Sequence, residues 1–467
     1  MALSSLTRTG SLTALFASLA ACGGGSARTP DTGVIVTPPP PPTPTPPPPS
    51  LVSSVRAAAR PISGTDQDYD DIIAAAAPAR RVLLGESTHG THEYYRERGR
   101  ISERLAASHD FQAIAIEGDW TPTFRVNLYV RGLSTDRSAD EALSGYARFP
   151  LWMWPNTAFR DFVERLRVLN LTRPAEQRVG LYGMDVYDLY DAADFVVATL
   201  QQTDPAAAVR VQAQYQCFAP YDRDTDAYGA ATRNPARSCQ KEAAAAVAEV
   251  AKFPRPAGAE AAERHFAMVR SAASVAEAEE YFRVAYTGSM SWNVRDASME
   301  RNVEAIAGHV EALSGQPGKI VVWAHNSHVG DARATSVVNR GEITLGQLMR
   351  QSHGDAAFLL GSFSYTGTVF AAPAWGAEGR VYTVLPALPG SHEALFHDTG
   401  VSALSLLLRG NNELGSPLAA TMLQRAIGVI YLPETERPSH YFDARLSQQF
   451  DAVIFFDQSQ AITPLRP

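Results

Sequence analysis

The chain has 467 residues, 45% of them hydrophobic, with a net charge of −8 at neutral pH, so it can bury one large core or two moderate ones and is not a small stapled scaffold. Its cations are almost all arginine, with Lys241, Lys252 and Lys319 the only lysines, and no basic run offers a face that would track phosphates. Nucleic acid is therefore excluded as an expected partner.

The N-terminus reads "MALSSLTRTGSLTALFASLAACGGGS". Arg8 precedes an apolar stretch of the length of a signal-peptide core, too short to span a bilayer as a stable helix. "LAAC", ending at Cys22, resembles the lipobox of bacterial lipoproteins. That resemblance implies a signal segment at 1–21, a lipid on Cys22 and attachment to the membrane of the cell envelope. Gly23 after the cysteine favours the outer membrane, facing the periplasm or the exterior. The plainer alternative is an ordinary secretory signal that ends beside a cysteine. Residues 22–50 continue in Gly, Ser and Thr and close on "TPPPPPTPTPPPPS", a composition that forms extended polyproline II and serves as a tether.

From residue 51 to 467 the composition is that of one globular domain. Short apolar, β-rich runs recur at "RVLLGE" (81–86), "AIAIEG" (113–118), "VGLYGMDV" (179–186), "KIVVWAHNSH" (319–328), "AFLLGSFSY" (357–365) and "AVIFFDQ" (452–458). Amphipathic stretches such as "HEYYRERGRISERLAASH" and "NTAFRDFVERLRVLN" lie between the early ones. Continuous apolar strands alternating with helices predict an α/β fold, a mainly parallel sheet with helices on both faces. Alanine- and glutamate-rich sequence at about 240–313 predicts an inserted helical cap, interrupted by "FPRPAG". Once Cys22 is lipidated, Cys217 and Cys239 are the remaining thiols. An oxidising compartment would pair them, and two buried thiols are the alternative.

The places where the apolar runs stop carry the chemistry. The first ends in Glu86 with His89 after it, the second in Glu117, the third in Asp185, the fourth in His325 and His328. Ligands of open α/β sheets bind at the carboxyl ends of the strands, so carboxylates and imidazoles delivered to one edge predict a site. Singly, Glu86 and His89 also suit the first turn of a helix, and "HNSH" a polar turn. Two chemistries fit the set. In one, His89 is a general base oriented by Glu86 or Glu117, Arg98 binds substrate or stabilises negative charge, and His325 or His328 donates to the oxyanion or leaving group. In the other, His89, His325, His328 and a carboxylate hold a divalent metal that supplies hydroxide. No Gly-x-Ser-x-Gly elbow surrounds Ser87, which disfavours an acyl-serine mechanism. Trp120, after Glu117, Trp154 in "LWMWPN" and Asp185 are candidates for binding substrate, the two tryptophans as an apolar wall.

"GESTHGTHEYYRERGR", "IEGDW", "WMWPN", "GMDVY", "VVWAHNSHVGD", "LGQLMR", "GSFSYTG" and "PETERPSHYFDARLSQQFDAV" arrive in order over about residues 65–460. Together they resemble the erythromycin esterase family. The resemblance implies hydrolysis of a small-molecule carboxylic ester, in the best-known members a macrolide lactone, by water activated on His89 without a covalent intermediate. It also implies Glu86 as the partner of that histidine, Arg98 and Glu117 in support, and His325 and His328 from "HNSH". No cofactor is expected, with a divalent metal left open. The fold of this family is similar to small bacterial lipoproteins that bind haem iron, which gives the competing reading of a binding pocket around His325 and His328 with no turnover.

Overall fold

The computed structural model describes residues 50–288 and 290–465. The expected signal segment at 1–21, the lipid site Cys22 and the tether up to residue 49 lie outside the described residues. No helix among the described residues is long and apolar enough to cross a membrane.

The eleven strands among the described residues are β1 (Arg60–Pro61), β2 (Arg81–Glu86), β3 (Ala113–Ile116), β4 (Gly180–Gly183), β5 (Ile320–His325), β6 (Ala357–Ala371), β7 (Arg380–Val384), β8 (Ala403–Leu407), β9 (Met422–Arg425), β10 (Tyr441–Ala444) and β11 (Ala452–Ser459). Nine form one sheet in the order β1-β8-β11-β6-β2-β5-β3-β4, with β7 hairpinned onto β6, while β9 and β10 pair separately. From β11 to β4 every pairing is parallel; β1, β7 and β8 add antiparallel edges. The α/β class and the mainly parallel sheet follow the sequence expectation, and all six expected strands form.

Strand alternation divides the core in two. Val82 and Leu84 of β2, Ile114 and Ile116 of β3, and Val321 and Trp323 of β5 face one layer, packed against the helices Asp70–Ala76, His92–Ser108 and Thr157–Leu171. Leu83, Ala113, Ala115, Ile320 and Val322 face the other, under the helices Ser291–Ser314 and Leu345–His353. Burial on both faces is why these strands read as unbroken apolar runs rather than alternating ones.

The helical insertion differs from its expected span of 240–313. A separate apolar core runs from Leu189 to Phe282, through the helices Tyr190–Thr203, Pro205–Tyr215, Thr225–Ala231, Gln240–Val250 and Ala259–Ala285. The helix Ser291–Ser314 does not belong to it, because Met299, Val303, Ile306 and Val310 pack on the sheet. Within the insertion Cys217 and Cys239 are bonded, with Cα atoms 5.8 Å apart.

Parallel register brings the strand ends to one edge. Glu86 pairs with His325 across β2 and β5. Ile116 pairs with both Trp323 and Gly183, so Glu117 and Asp185 emerge beside them. After β4 the chain returns through the insertion to place β5 between β2 and β3, then crosses to β6 on the far side of β2. Such a reversal opens the crevice in which this class of sheet binds ligands.

Candidate active site

Glu86 is the last residue of β2 and is fully buried. One carboxylate oxygen meets His89 Nδ1 at 2.9 Å, and the other accepts from Arg98 Nη2 at 2.6 Å. Arg98 is also fully buried, in the helix His92–Ser108, with its guanidinium 4.8 Å from the ring centroids of Tyr95 and Trp323. The Glu86–Arg98 pair is therefore a buried, charge-assisted clamp that fixes which way the Glu86 carboxylate presents itself to His89.

With Nδ1 on Glu86, His89 turns Nε2 toward Glu117, whose Oε1 lies 3.9 Å away. Burial pulls the His89 pKa down, but the negative charge of Glu117 and the hydrogen bond and charge of Glu86 outweigh it, and the net shift is upward despite Arg295. Glu117 is held far below the usual carboxylate range: burial opposes ionisation, and His328, Arg295 and His89 overcome it together with the His325 backbone N–H, which donates to Oε2 at 2.7 Å.

"HNSH" is a strand end followed by the one-turn helix Asn326–Val329. Asn326 Nδ2 donates to the Ser362 carbonyl at 2.8 Å and ties the turn to β6. His325 stands 5.0 Å from His89, centroid to centroid. The Ser327 backbone N–H donates to its Nδ1 at 3.2 Å, which leaves the ring proton on Nε2, and Nε2 faces the Ser87 carbonyl without a hydrogen bond of ordinary geometry. Burial, and then the charge of His89, push the His325 pKa down to about 3. His325 is thus a neutral imidazole whose Nε2–H points at the Ser87 carbonyl.

Three residues at this edge, Arg295, Asp296 and Trp292, were not anticipated from sequence. Arg295 donates through Nε and Nη2 to both oxygens of Asp185 at 2.8 and 2.7 Å, through Nη2 to Glu117 at 2.6 Å, and through Nη1 to His328 Nε2 at 2.9 Å. Since an arginine only donates, His328 Nε2 accepts and its Nδ1–H donates to Asp296 Oδ2 at 2.8 Å. Asp296 Oδ1 in turn accepts from the Leu345 N–H. Trp292 stacks on the His328 ring at 4.3 Å, nearly parallel. All three come from the helix Ser291–Ser314. Asp296 takes a position on the buried stripe that continues through Met299, Val303 and Val310; a carboxylate on an apolar stripe was the available signal.

The structure thus unites Glu86, His89, Arg98, Glu117, Asp185, His325 and His328 at one edge. It does not bring Trp120 there: that residue is 1% exposed and stacked on Tyr182 and Phe124 in the core on the far face of the sheet. Trp154 is also buried, and its Nε1–H donates to the backbone carbonyl of Glu117 at 3.2 Å, so it braces the strand end from behind instead of lining a wall. Cys217 and Cys239 belong to the insertion. The donor set fits a metal poorly. The Nε2 of His328 is occupied by Arg295, whose cation stands among the carboxylates that would be ligands, and no group of three or more such side chains among the described residues is spaced to hold an ion.

The erythromycin esterase family model matches residues 106–459. The chain belongs to the erythromycin esterase family. The match begins beyond Glu86, His89 and Arg98 and includes Glu117, Asp185, Arg295, His325 and His328. Membership brings hydrolysis of ester bonds as the general activity. Among solved structures the fold is similar to that of a Bacillus cereus protein, with 17% identity, 89% of this chain and 98% of that one covered, and a TM-score of 0.74. A succinoglycan biosynthesis protein is similar at 17% identity, 88% and 97% coverage and a TM-score of 0.71. A histidine-to-asparagine mutant of the erythromycin esterase EreC, in its open conformation, is similar at 17% identity, 84% and 95% coverage and a TM-score of 0.60.

Proposed function

We propose that this family member hydrolyses a carboxylic ester with water activated by His89, without a covalent intermediate and without a metal, and that a macrolide lactone is the first substrate to test. The observation that carries the reading is His89 itself, held through Nδ1 by a clamped Glu86 with Nε2 turned to Glu117 across 3.9 Å. A water bonded to both acceptors at about 2.8 Å would span that gap with a near right angle between its two bonds. His89 takes one proton from that water as its oxygen attacks the ester carbon. The oxyanion then forms beside His325, whose Nε2–H would donate to it on turning from the Ser87 carbonyl that it faces. On collapse the carbon–oxygen bond breaks, the proton on His89 passes to the departing alkoxide, and the products are a carboxylic acid and an alcohol.

Only neutral His89 can accept the proton, and its pKa lies above the ordinary histidine value of 6.5. The rate constant kcat/KM should therefore be low at pH 6 and climb through an acid limb centred above 6.5. The test is hydrolysis of a macrolide and a panel of simple esters by residues 51–467, across pH, followed by mass spectrometry for the gain of one water, with and without a chelator. Product formed equally in chelator, on a limb placed there, supports the reading. Loss of activity on chelation removes the metal-free mechanism.

The protein is further proposed to be exported and held in the cell envelope by a lipid on Cys22. The N-terminal sequence supports this, and the Cys217–Cys239 bond suits an oxidising compartment. Wild type should sediment with membranes and the Cys22→Ser variant should move to the soluble fraction; a soluble wild type would remove the anchor.

A further inference from the structure

The inner site is closed on itself: Glu86, Arg98, Glu117, Asp185 and Arg295 spend their charges on one another. A substrate must draw its binding energy from somewhere else. The buried Trp120 and Trp154 do not supply it.

Two segments nearby expose large apolar side chains. Trp375 lies between β6 and β7, is 60% exposed, and sets its ring edge-on to Phe149 at 5.0 Å. Leu151, two residues further on, is 55% exposed. Trp152, next in the chain to Leu151, is buried and packs on Phe370 at 5.3 Å, which pins that segment to β6. Each half is fastened to the catalytic strand ends. The Phe370 N–H donates to the Gly90 carbonyl at 3.1 Å. A Cβ on Gly90 would come within 1.8 Å of the Phe370 oxygen, so the hairpin backbone lies directly against the residue after His89. On the other side Arg148, which precedes Phe149, grips both oxygens of Asp119 at 2.7 and 2.9 Å. Its guanidinium covers the Tyr187 ring at 4.4 Å, the same ring that Arg295 approaches at 5.2 Å. Exposed aromatic and aliphatic groups on a rigid base beside a catalytic crevice mark a binding surface.

We propose that Trp375, Phe149 and Leu151 form an apolar lip that holds the hydrocarbon part of an amphiphilic ester while its carbonyl reaches His89. The substrate class is then an ester with an extended alkyl chain. The assignment rests on the ester-hydrolase reading and is continuous with that site.

The test uses p-nitrophenyl esters from acetate to decanoate with wild type, Trp375→Ala and Trp375→Phe, and in parallel calorimetric binding of N-alkyl amides of the same chain lengths. In wild type kcat/KM should rise about twofold per methylene, half the effect of a fully buried one. In Trp375→Ala the decanoate-to-acetate ratio should fall about tenfold or more, and Trp375→Phe should recover most of it. Amide affinity should follow the same pattern. If wild type cleaves no ester yet binds amides with a Trp375-dependent chain-length trend, the lip stands and the ester reading falls. If chain length has no effect in wild type, or the same effect with and without Trp375, the lip proposal is overturned; a lip that seats a partner protein or a lipid surface would give that result.

Discussion

Replacing His89 with alanine should lower ester hydrolysis by about a thousandfold, the scale of a lost general base, while the protein stays folded. The expectation of a stable variant comes from the partners left behind. Glu86 keeps its 2.6 Å pair with Arg98, and Glu117 keeps Arg295 and the His325 N–H, so neither carboxylate becomes an uncompensated buried charge. Linkage sets the pH at which to compare them. The folded pKa of His89 is raised, so its protonated form adds stability in acid, and that contribution is lost as pH rises through the folded value. Above that value the variant should match wild type most closely in denaturant midpoint, and below it the gap should widen. An alanine variant that turned over at the wild-type rate would remove His89 as the base. The His325→Gln variant is the companion, since glutamine keeps an N–H for the oxyanion and should lose less than His325→Ala.

Much of this site was readable because the parallel strands are buried on both faces. A run such as "KIVVWAHNSH" is apolar until the sheet ends, so the first ionisable residue marks the edge where ligands bind. Glu86, Glu117, Asp185, His325 and His328 were found in that way. Arg295 and Asp296 were not, because "SWNVRDASMERNVEAIAGHVEALS" falls in the stretch expected as a helical cap, and the one signal in it, a carboxylate on the apolar stripe, marks Asp296 without saying that the first turns reach the site. Strands β7 and β10 were missed for a related reason. They lie in antiparallel pairs and much of β7 is exposed, so they carry no apolar run. Trp120 and Trp154 show the opposite failure: residue type and position beside Glu117 suggested a wall, but whether a tryptophan is core or surface is decided by the packing of Tyr182 and Phe124 on one and of Tyr95 and Phe159 on the other.

Arg295 is the residue whose loss should reach furthest. Its side chain, 13% exposed, lies between Asp185, Glu117 and His328, and it satisfies four acceptor atoms on three residues. Arg295→Met keeps most of the volume and removes the charge, which leaves two carboxylates facing each other without a counter-ion. The cost of breaking such a network from one side is about 3–5 kcal/mol, readable as a shift of denaturant midpoint. Arg295→Lys restores charge but not the planar fork, and should recover part of the stability without holding Glu117 and Asp185 together. Stability alone would not separate this from a structural role, so the pH profile is the second readout. The positive charge of Arg295 depresses the His89 pKa; with it gone and Glu117 still ionised, His89 should hold its proton to higher pH. The acid limb of kcat/KM should therefore move up in Arg295→Met and stay near wild type in Arg295→Lys, with maximal rates reduced in both because Glu117 no longer presents one fixed oxygen to the attacking water. An Arg295→Met enzyme with unchanged midpoint and an unmoved limb would show that Glu117 and Asp185 do not depend on this cation, and that the geometry around His89 is set by the Glu86–Arg98 clamp alone.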